Sequence, residues 1–177
     1  MPNNKSGSLR RLASLTKKLE RLELAAKYSE IIEEQRAEGI IENADQPIVG
    51  TEFYIPHKPV VRPSAESTKV RIVYDASARA YDGAPSLNEC LNVGPPLQNK
   101  LWNVLVRERF HPVAITGDLQ KAFLQVRVKA SDRDALRFHW RRNEHSQTET
   151  LRFTRALFGL APSPFLLGGV LETHLSS

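Results

Sequence analysis

The chain has 177 residues, 41% of them hydrophobic and 25% charged, and a formal net charge of +5, enough for one core and an appended helical element. No apolar run approaches the roughly 20 residues of a membrane span, and Met1 to Ser8 lacks the apolar stretch of a signal peptide. A single cysteine, Cys90, excludes an internal disulfide framework, and with five scattered histidines it gives no zinc spacing. A soluble intracellular protein without a structural metal is the expectation.

Ser8 to about Glu38 reads as one long helix, with Leu12, Leu15, Leu19, Leu22 and Ala26 at alternating spacings of three and four and Gly39 as its stop. Residues 5–21 carry six basic side chains and one acid, while residues 22–45 carry two and seven. That order opposes the helix macrodipole. Docking on the rest of the chain, a partner helix or contact with nucleic acid would each offset it. Two heptads are too short to argue a coiled coil, so a helix packed on its own domain is the default.

From Glu52 the pattern changes to short strands and turns. Glu52 to Val61 reads as a strand held at an edge by Pro56 and Pro59. A second strand, Lys69 to Ala76, puts Val70, Ile72 and Tyr74 on one face and Lys69, Arg71, Val73 and Asp75 on the other. Two cations on one face of a hairpin can meet a triphosphate, or simply decorate a surface. After a Gly/Pro-rich connection, a helix from about Leu97 to Phe110 is expected to bury Leu97, Leu101, Val104 and Leu105, and His111-Pro112 stops it.

The sharpest feature follows. Val113 to Thr116 reads as a strand that delivers Asp118 to a sheet edge. Phe123 comes five residues after the acid, and Leu124, Val126 and Val128 then alternate with Gln125, Arg127 and Lys129 as a returning strand. A fixed carboxylate with an aromatic plate suits a metal-bound nucleotide; an Asp that caps a turn is the commoner arrangement. Two further strands, Ala135–Trp140 and Glu149–Arg155, are joined by a polar loop. A Gly-containing loop, Leu157-Phe158-Gly159, then opens a helix at Ser163-Pro164, with Ser163 as N-cap. Gly168-Gly169 inside that helix is expected where another backbone packs close.

Residues 100–142 hold ten Lys/Arg against four Asp/Glu. The excess surrounds Asp118, which favours nucleic acid as partner through phosphate contacts of Arg127, Lys129, Arg137, Arg141 and Arg142. A solvated strand face would look the same.

In order, these phrases resemble reverse transcriptases, and in wording the Pao (BEL/Pao) clade of LTR retrotransposons. The matching phrases are Tyr54-Ile55-Pro56-His57-Lys58-Pro59-Val60, Thr68 to Ser77, Ser86-Leu87-Asn88-Glu89-Cys90-Leu91, Val93-Gly94-Pro95, Ile115 to Val126, and Arg155 to Phe165. The resemblance implies an α+β fold: an incomplete polymerase fingers/palm of antiparallel strands with packing helices (46–177), preceded by a long N-terminal helix (1–45). It implies Asp118 as catalytic and metal-binding carboxylate and the Leu119 carbonyl as a further ligand. Phe123 would exclude a ribose 2′-hydroxyl, Arg71 and Lys69 would contact the triphosphate, and Phe158 and Gly159 would lie against nucleotide or template. The chemistry implied is Mg²⁺-dependent transfer of deoxynucleotides from their triphosphates to a template-bound primer.

No Tyr-x-Asp-Asp phrase, the second catalytic motif of that family, occurs in the 177 residues. The expectation is therefore an N-terminal fragment that binds Mg²⁺ weakly or not at all and is inactive alone. The remaining palm, thumb, RNase H and integrase parts of a polyprotein are missing, and the place of action is cytoplasm or nucleus. Two other readings stand beside it: a non-catalytic nucleic-acid-binding remnant, and an interaction helix carrying a decayed passenger.

Overall fold

A computed structural model describes residues 1–61 and 70–176. The N-terminal stretch forms two helices where one was expected, α1 (Lys5–Arg21) and α2 (Ala25–Ala37). The break falls where the backbone of Glu23 turns left-handed, at φ 55°, and the Leu24 amide donates to the Leu19 carbonyl at 2.9 Å. This is the closing hydrogen bond of a Schellman-type cap, built without the usual glycine at a cost of about 1–2 kcal/mol. The consequence is a change of face. Leu12, Leu15 and Leu19 are buried as the spacing requires, but Leu22 and Ala26 are exposed, and Tyr28 and Ile32 continue the core instead. The split also places Lys18 and Arg21 in the last turn of α1, where cations favour the dipole. Gly39, at φ +65°, stops α2 as expected.

Two antiparallel units lie under these helices. In the first, β1 (Ile41–Asn43), β5 (Glu149–Phe153) and β4 (Arg137–Trp140) form a sheet in the order β1-β5-β4, with Ile41 opposite Phe153 and Phe138 opposite Leu151. Residues 53–55 run alongside β4, through a parallel bridge between Tyr54 and Arg137 and a 2.7 Å bond from the Ile55 amide to the Arg137 carbonyl. All four residues of β4 are buried for that reason. The second unit is a hairpin of β2 (His57–Val61) and β3 (Val70–Tyr74). The strand expected from Glu52 is thus two pieces, parted at Pro56. On β3, Val70 is buried while Arg71 and Val73 are exposed, so the expected alternation holds. Lys69 lies outside the described residues.

One core joins everything. Leu12, Leu15, Leu19, Tyr28 and Ile32 from the helices pack with Ile41, Phe53, Phe138, Leu151, Phe153 and Leu157, so residues 1–45 and 46–177 share it. Inside it runs a chain of hydrogen bonds from helix to sheet. The Tyr28 hydroxyl meets His57 Nδ1 at 2.5 Å, and His57 Nε2 donates to the His139 carbonyl at 2.9 Å. His139 Nδ1 meets Ser8 Oγ at 3.0 Å, and its ring stacks on Tyr54 at 4.3 Å between centroids. In the neutral ring, with Nε2 donating to that carbonyl, Nδ1 of His57 is left to accept from the Tyr28 hydroxyl. Burial pushes His57 down to about 4. It does the same for His139, helped by the nearby cations Lys5 and Arg137.

The segment between these units departs most from expectation. The helix α4 spans Leu101–Glu108 and buries none of its residues. Val113 to Thr116 forms no strand, and Ile115 is 91% exposed. Residues 122–125 make a 3₁₀ turn rather than the start of a returning strand. A β-strand's preference is largely a preference for a packed, paired surface, and among the described residues nothing pairs with 113–116. The final helix, α5 (Ser163–Leu175), starts one residue earlier than expected. Its cap is Pro162, and Ser163 Oγ donates to the Leu157 carbonyl at 2.6 Å. The architecture is mixed α+β with small antiparallel sheets. Among the described residues, no helix is long and apolar enough to cross a membrane.

Candidate functional site

The loop before α5 is where distant parts of the chain meet. Residues 126–128 run antiparallel to 154–156: the Val128 amide donates to Thr154, and the Ala156 amide to Val126, each at 2.9 Å. This pairing carries the 3₁₀ turn of residues 122–125 up to the loop. Phe123 then packs edge-on against Phe158, 4.6 Å between centroids at 73°. Gly159 takes φ +90°, a conformation that side chains resist.

Asn88 fastens the other side. It sits in the short helix α3 (Leu87–Cys90), which a capping box of Ser86 and Glu89 nucleates. Its Nδ2 donates to the Gly159 carbonyl at 2.8 Å and to Ser77 Oγ at 3.1 Å, and its Oδ1 accepts from the Ala161 amide at 2.9 Å. The Asn88 amide also donates to the Ala76 carbonyl. A side chain with two donors and two lone pairs can make its three bonds at once. Sequence patterning gives no sign of this role.

Asp118 and Leu119 lie on the surface in the irregular stretch 112–120. That stretch is tied down at its end, where Lys121, left-handed at φ 51°, reaches both carboxylate oxygens of Glu38 at 2.8 Å. A cleft of about 330 Å³ beside this pair is lined by Glu38, Ile40, Gln120, Lys121, Leu124, Gln125 and Arg155. Neither Lys121 nor Glu38 is singled out by any motif. Among the described residues, no three His, Cys, Asp or Glu side chains gather to hold a metal ion. One carboxylate and one carbonyl fall short of what a pair of Mg²⁺ ions requires.

The cations divide into two sets. Arg71, opposite Val60 on the hairpin, is exposed, as are Arg127, Lys129 and Arg142. Arg141 is half-buried, with its Nε bonded to Thr16 Oγ1 at 3.1 Å. Arg137 is not surface charge at all. Its side chain is buried between Asp134 at 2.9 Å and the carbonyls of Ala44 and Gln46. A phosphate cannot reach it, and its place in the basic patch is corrected on that ground. Asp134 also takes Arg152 at 2.7 Å and the Val49 amide at 2.7 Å, and Arg152 passes on to Glu42. Burial alone would raise the Asp134 carboxyl, but these donors outweigh it and hold it below the usual carboxylate range. This buried ion network has no signature in the sequence because its members, 18 residues and more apart in several cases, look like ordinary surface charge.

The site therefore gathers Phe123, Phe158 and Gly159 around Asn88, with the exposed Asp118 stretch leading into it. The chain matches no family model and no curated protein sequence.

Proposed function

We propose that the chain is the fingers and first part of the palm of an RNA-directed DNA polymerase of the Pao type, which handles a template-primer and deoxynucleoside triphosphates. One observation carries the reading. Four of the resembling phrases, scattered from Tyr74 to Phe165, meet at a single locus: Asn88 links Ser77 to Gly159 and Ala161, and Phe123 packs on Phe158. Phrases that share a chemical task must converge in space, whereas chance likenesses need not. The neighbouring exposed face of β3 carries Arg71, in keeping with a triphosphate contact from the hairpin.

In this reading Phe123 is a plate against the sugar, braced by Phe158, and the left-handed Gly159 lets the backbone come close to a base. Asp118 supplies one carboxylate toward a metal. The bound metal pair would activate the primer hydroxyl and hold the triphosphate. The 177 residues do not fit that pair by themselves, so no transfer step is assigned to them alone. A non-catalytic nucleic-acid-binding role is the second reading, and the lone exposed Asp118 is what favours it.

The transcript read through and past codon 177 decides between them. It is expected to encode a Tyr-x-Asp-Asp phrase, and a polypeptide holding both motifs is expected to extend a primer in Mg²⁺, with Asp118→Ala abolishing extension. The 177-residue chain is expected to show none. A longer polypeptide whose extension survives Asp118→Ala overturns the assignment, and a frame that closes without the phrase leaves only the binding role.

A further inference from the structure

The charge on α1 is not explained by the site above. Its buried residues, Ser8, Leu12, Leu15, Thr16 and Leu19, share one face against the sheet. At 100° per residue, Arg10, Lys17 and Arg21 fall within about 40° of one another on the opposite face, with Ser14 between them and Lys18 at the flank. All four cations are exposed. No acid pairs with any of them among the described residues, although Arg11 pairs with Asp75 and Arg36 with Glu149. The helix's one acid, Glu20, lies off the row and accepts from the Glu144 amide at 3.3 Å.

We propose that this row is a docking surface for the phosphate backbone of nucleic acid, read without regard to sequence and distinct from the cations around Asp118. Arg10 to Arg21 covers about 16 Å of rigid helix axis, a length over which a duplex strand presents a phosphate every 3.4 Å or so. A straight, acid-free row of long cationic side chains matches such a ladder. An acidic membrane is the weaker match. Interfacial helices sink an apolar face among the headgroups, and the apolar face of α1 is already committed to the core.

The test uses the full chain, a 20-base-pair DNA duplex and anionic phospholipid vesicles, with binding followed by anisotropy or co-sedimentation across 50–200 mM salt. Arg10→Gln, Lys17→Gln and Arg21→Gln change only exposed side chains outside the buried face of α1, so the circular dichroism spectrum should not change. The expected result is weaker duplex binding, with the slope of log K against log salt shallower by about 3. The companion variant, Arg127→Gln with Lys129→Gln and Arg142→Gln, should leave that component in place, which separates this surface from the polymerase reading. The inference is overturned by an unchanged duplex slope in the helix variant, by no duplex binding of the parent chain at 50 mM salt, or by a loss confined to vesicles.

Discussion

Two neutral histidines, one buried and one half-buried, make the fold sensitive to mild acid. His57 and His139 are both pushed from the ordinary histidine value of 6.5 to about 4 by burial. Lys5 and Arg137 oppose a further positive charge at His139, and Tyr28 fills the acceptor nitrogen of His57. The unfolded chain therefore binds more protons than the folded one between pH 6.5 and 4. Stability rises with pH across that window and is lost as pH falls through it. A tenfold change in proton affinity is worth about 1.4 kcal/mol, so each ring costs about 2 kcal/mol by pH 5 and about 3 kcal/mol once both states are protonated. Both rings together would remove about 4 kcal/mol by pH 5, a large share of the roughly 5–15 kcal/mol typical of a domain. Urea unfolding at pH 7.5, 6.0 and 5.0 reads this directly as a falling midpoint at constant slope. His139→Phe keeps the stack on Tyr54 but cannot be protonated, so it should remove about half the loss. A midpoint that stays flat from pH 7.5 to 5.0, or falls as steeply in the Phe variant, would refute the reasoning.

Asn88→Ala deletes three side-chain hydrogen bonds around Gly159 and should cost about 2–3 kcal/mol at about 1 kcal/mol each. Faster hydrogen exchange at the Ala161 amide is its specific sign, and unchanged exchange there would count against the hub. Asp134→Ala strands the buried Arg137 without its counter-charge and should cost about 3–5 kcal/mol in urea unfolding. The double change Asp134→Leu with Arg137→Met should recover most of that loss; a double variant no better than the single would show that charge burial is not the cause.

Periodicity located the parts that carry their own burial pattern. Leu12, Leu15 and Leu19 went to the core, β3 alternated as expected, and β4 and β5 paired across a polar loop in which Asn143 Oδ1 accepts from the amides of His145 and Ser146. The helix break at Glu23 was illegible because glutamate is a good helix former and neither Gly nor Pro marks the turn. Tertiary demand decides it: only a change of face lets Tyr28 stack on Trp140 and reach His57. The same limit hid Asp134 and Arg137. A sequence shows that a residue is charged; whether it is buried depends on partners brought in by topology, here the loop carbonyls of Ala44 and Gln46 and Arg152 of the neighbouring strand β5.

The segment from Leu97 to Leu119 shows the converse. Its apolar residues follow helical and then strand spacing, yet Trp102 is 72% exposed and Val113 equally so. An amphipathic pattern records that a face is suited to burial, not that a given chain buries it. Even Leu97, expected in the buried stripe, precedes α4 and stays 37% exposed; it does lie against α5, where a side chain at Gly168 would come within 3.1 Å of its Cβ, so the Gly pair makes room for leucine rather than for another backbone. Beyond Leu97 no such surface is on offer among the described residues, and the backbone of 113–119 enters no ladder. Several exposed apolar side chains beside a backbone stretch that enters no ladder favour addition of a further strand or helix. Asp118 lies in the same exposed stretch. In the polymerase reading proposed above, where Asp118 supplies one carboxylate toward a metal, packing another element over 113–119 is the single event that would bear on both the acid and the exposed apolar residues beside it.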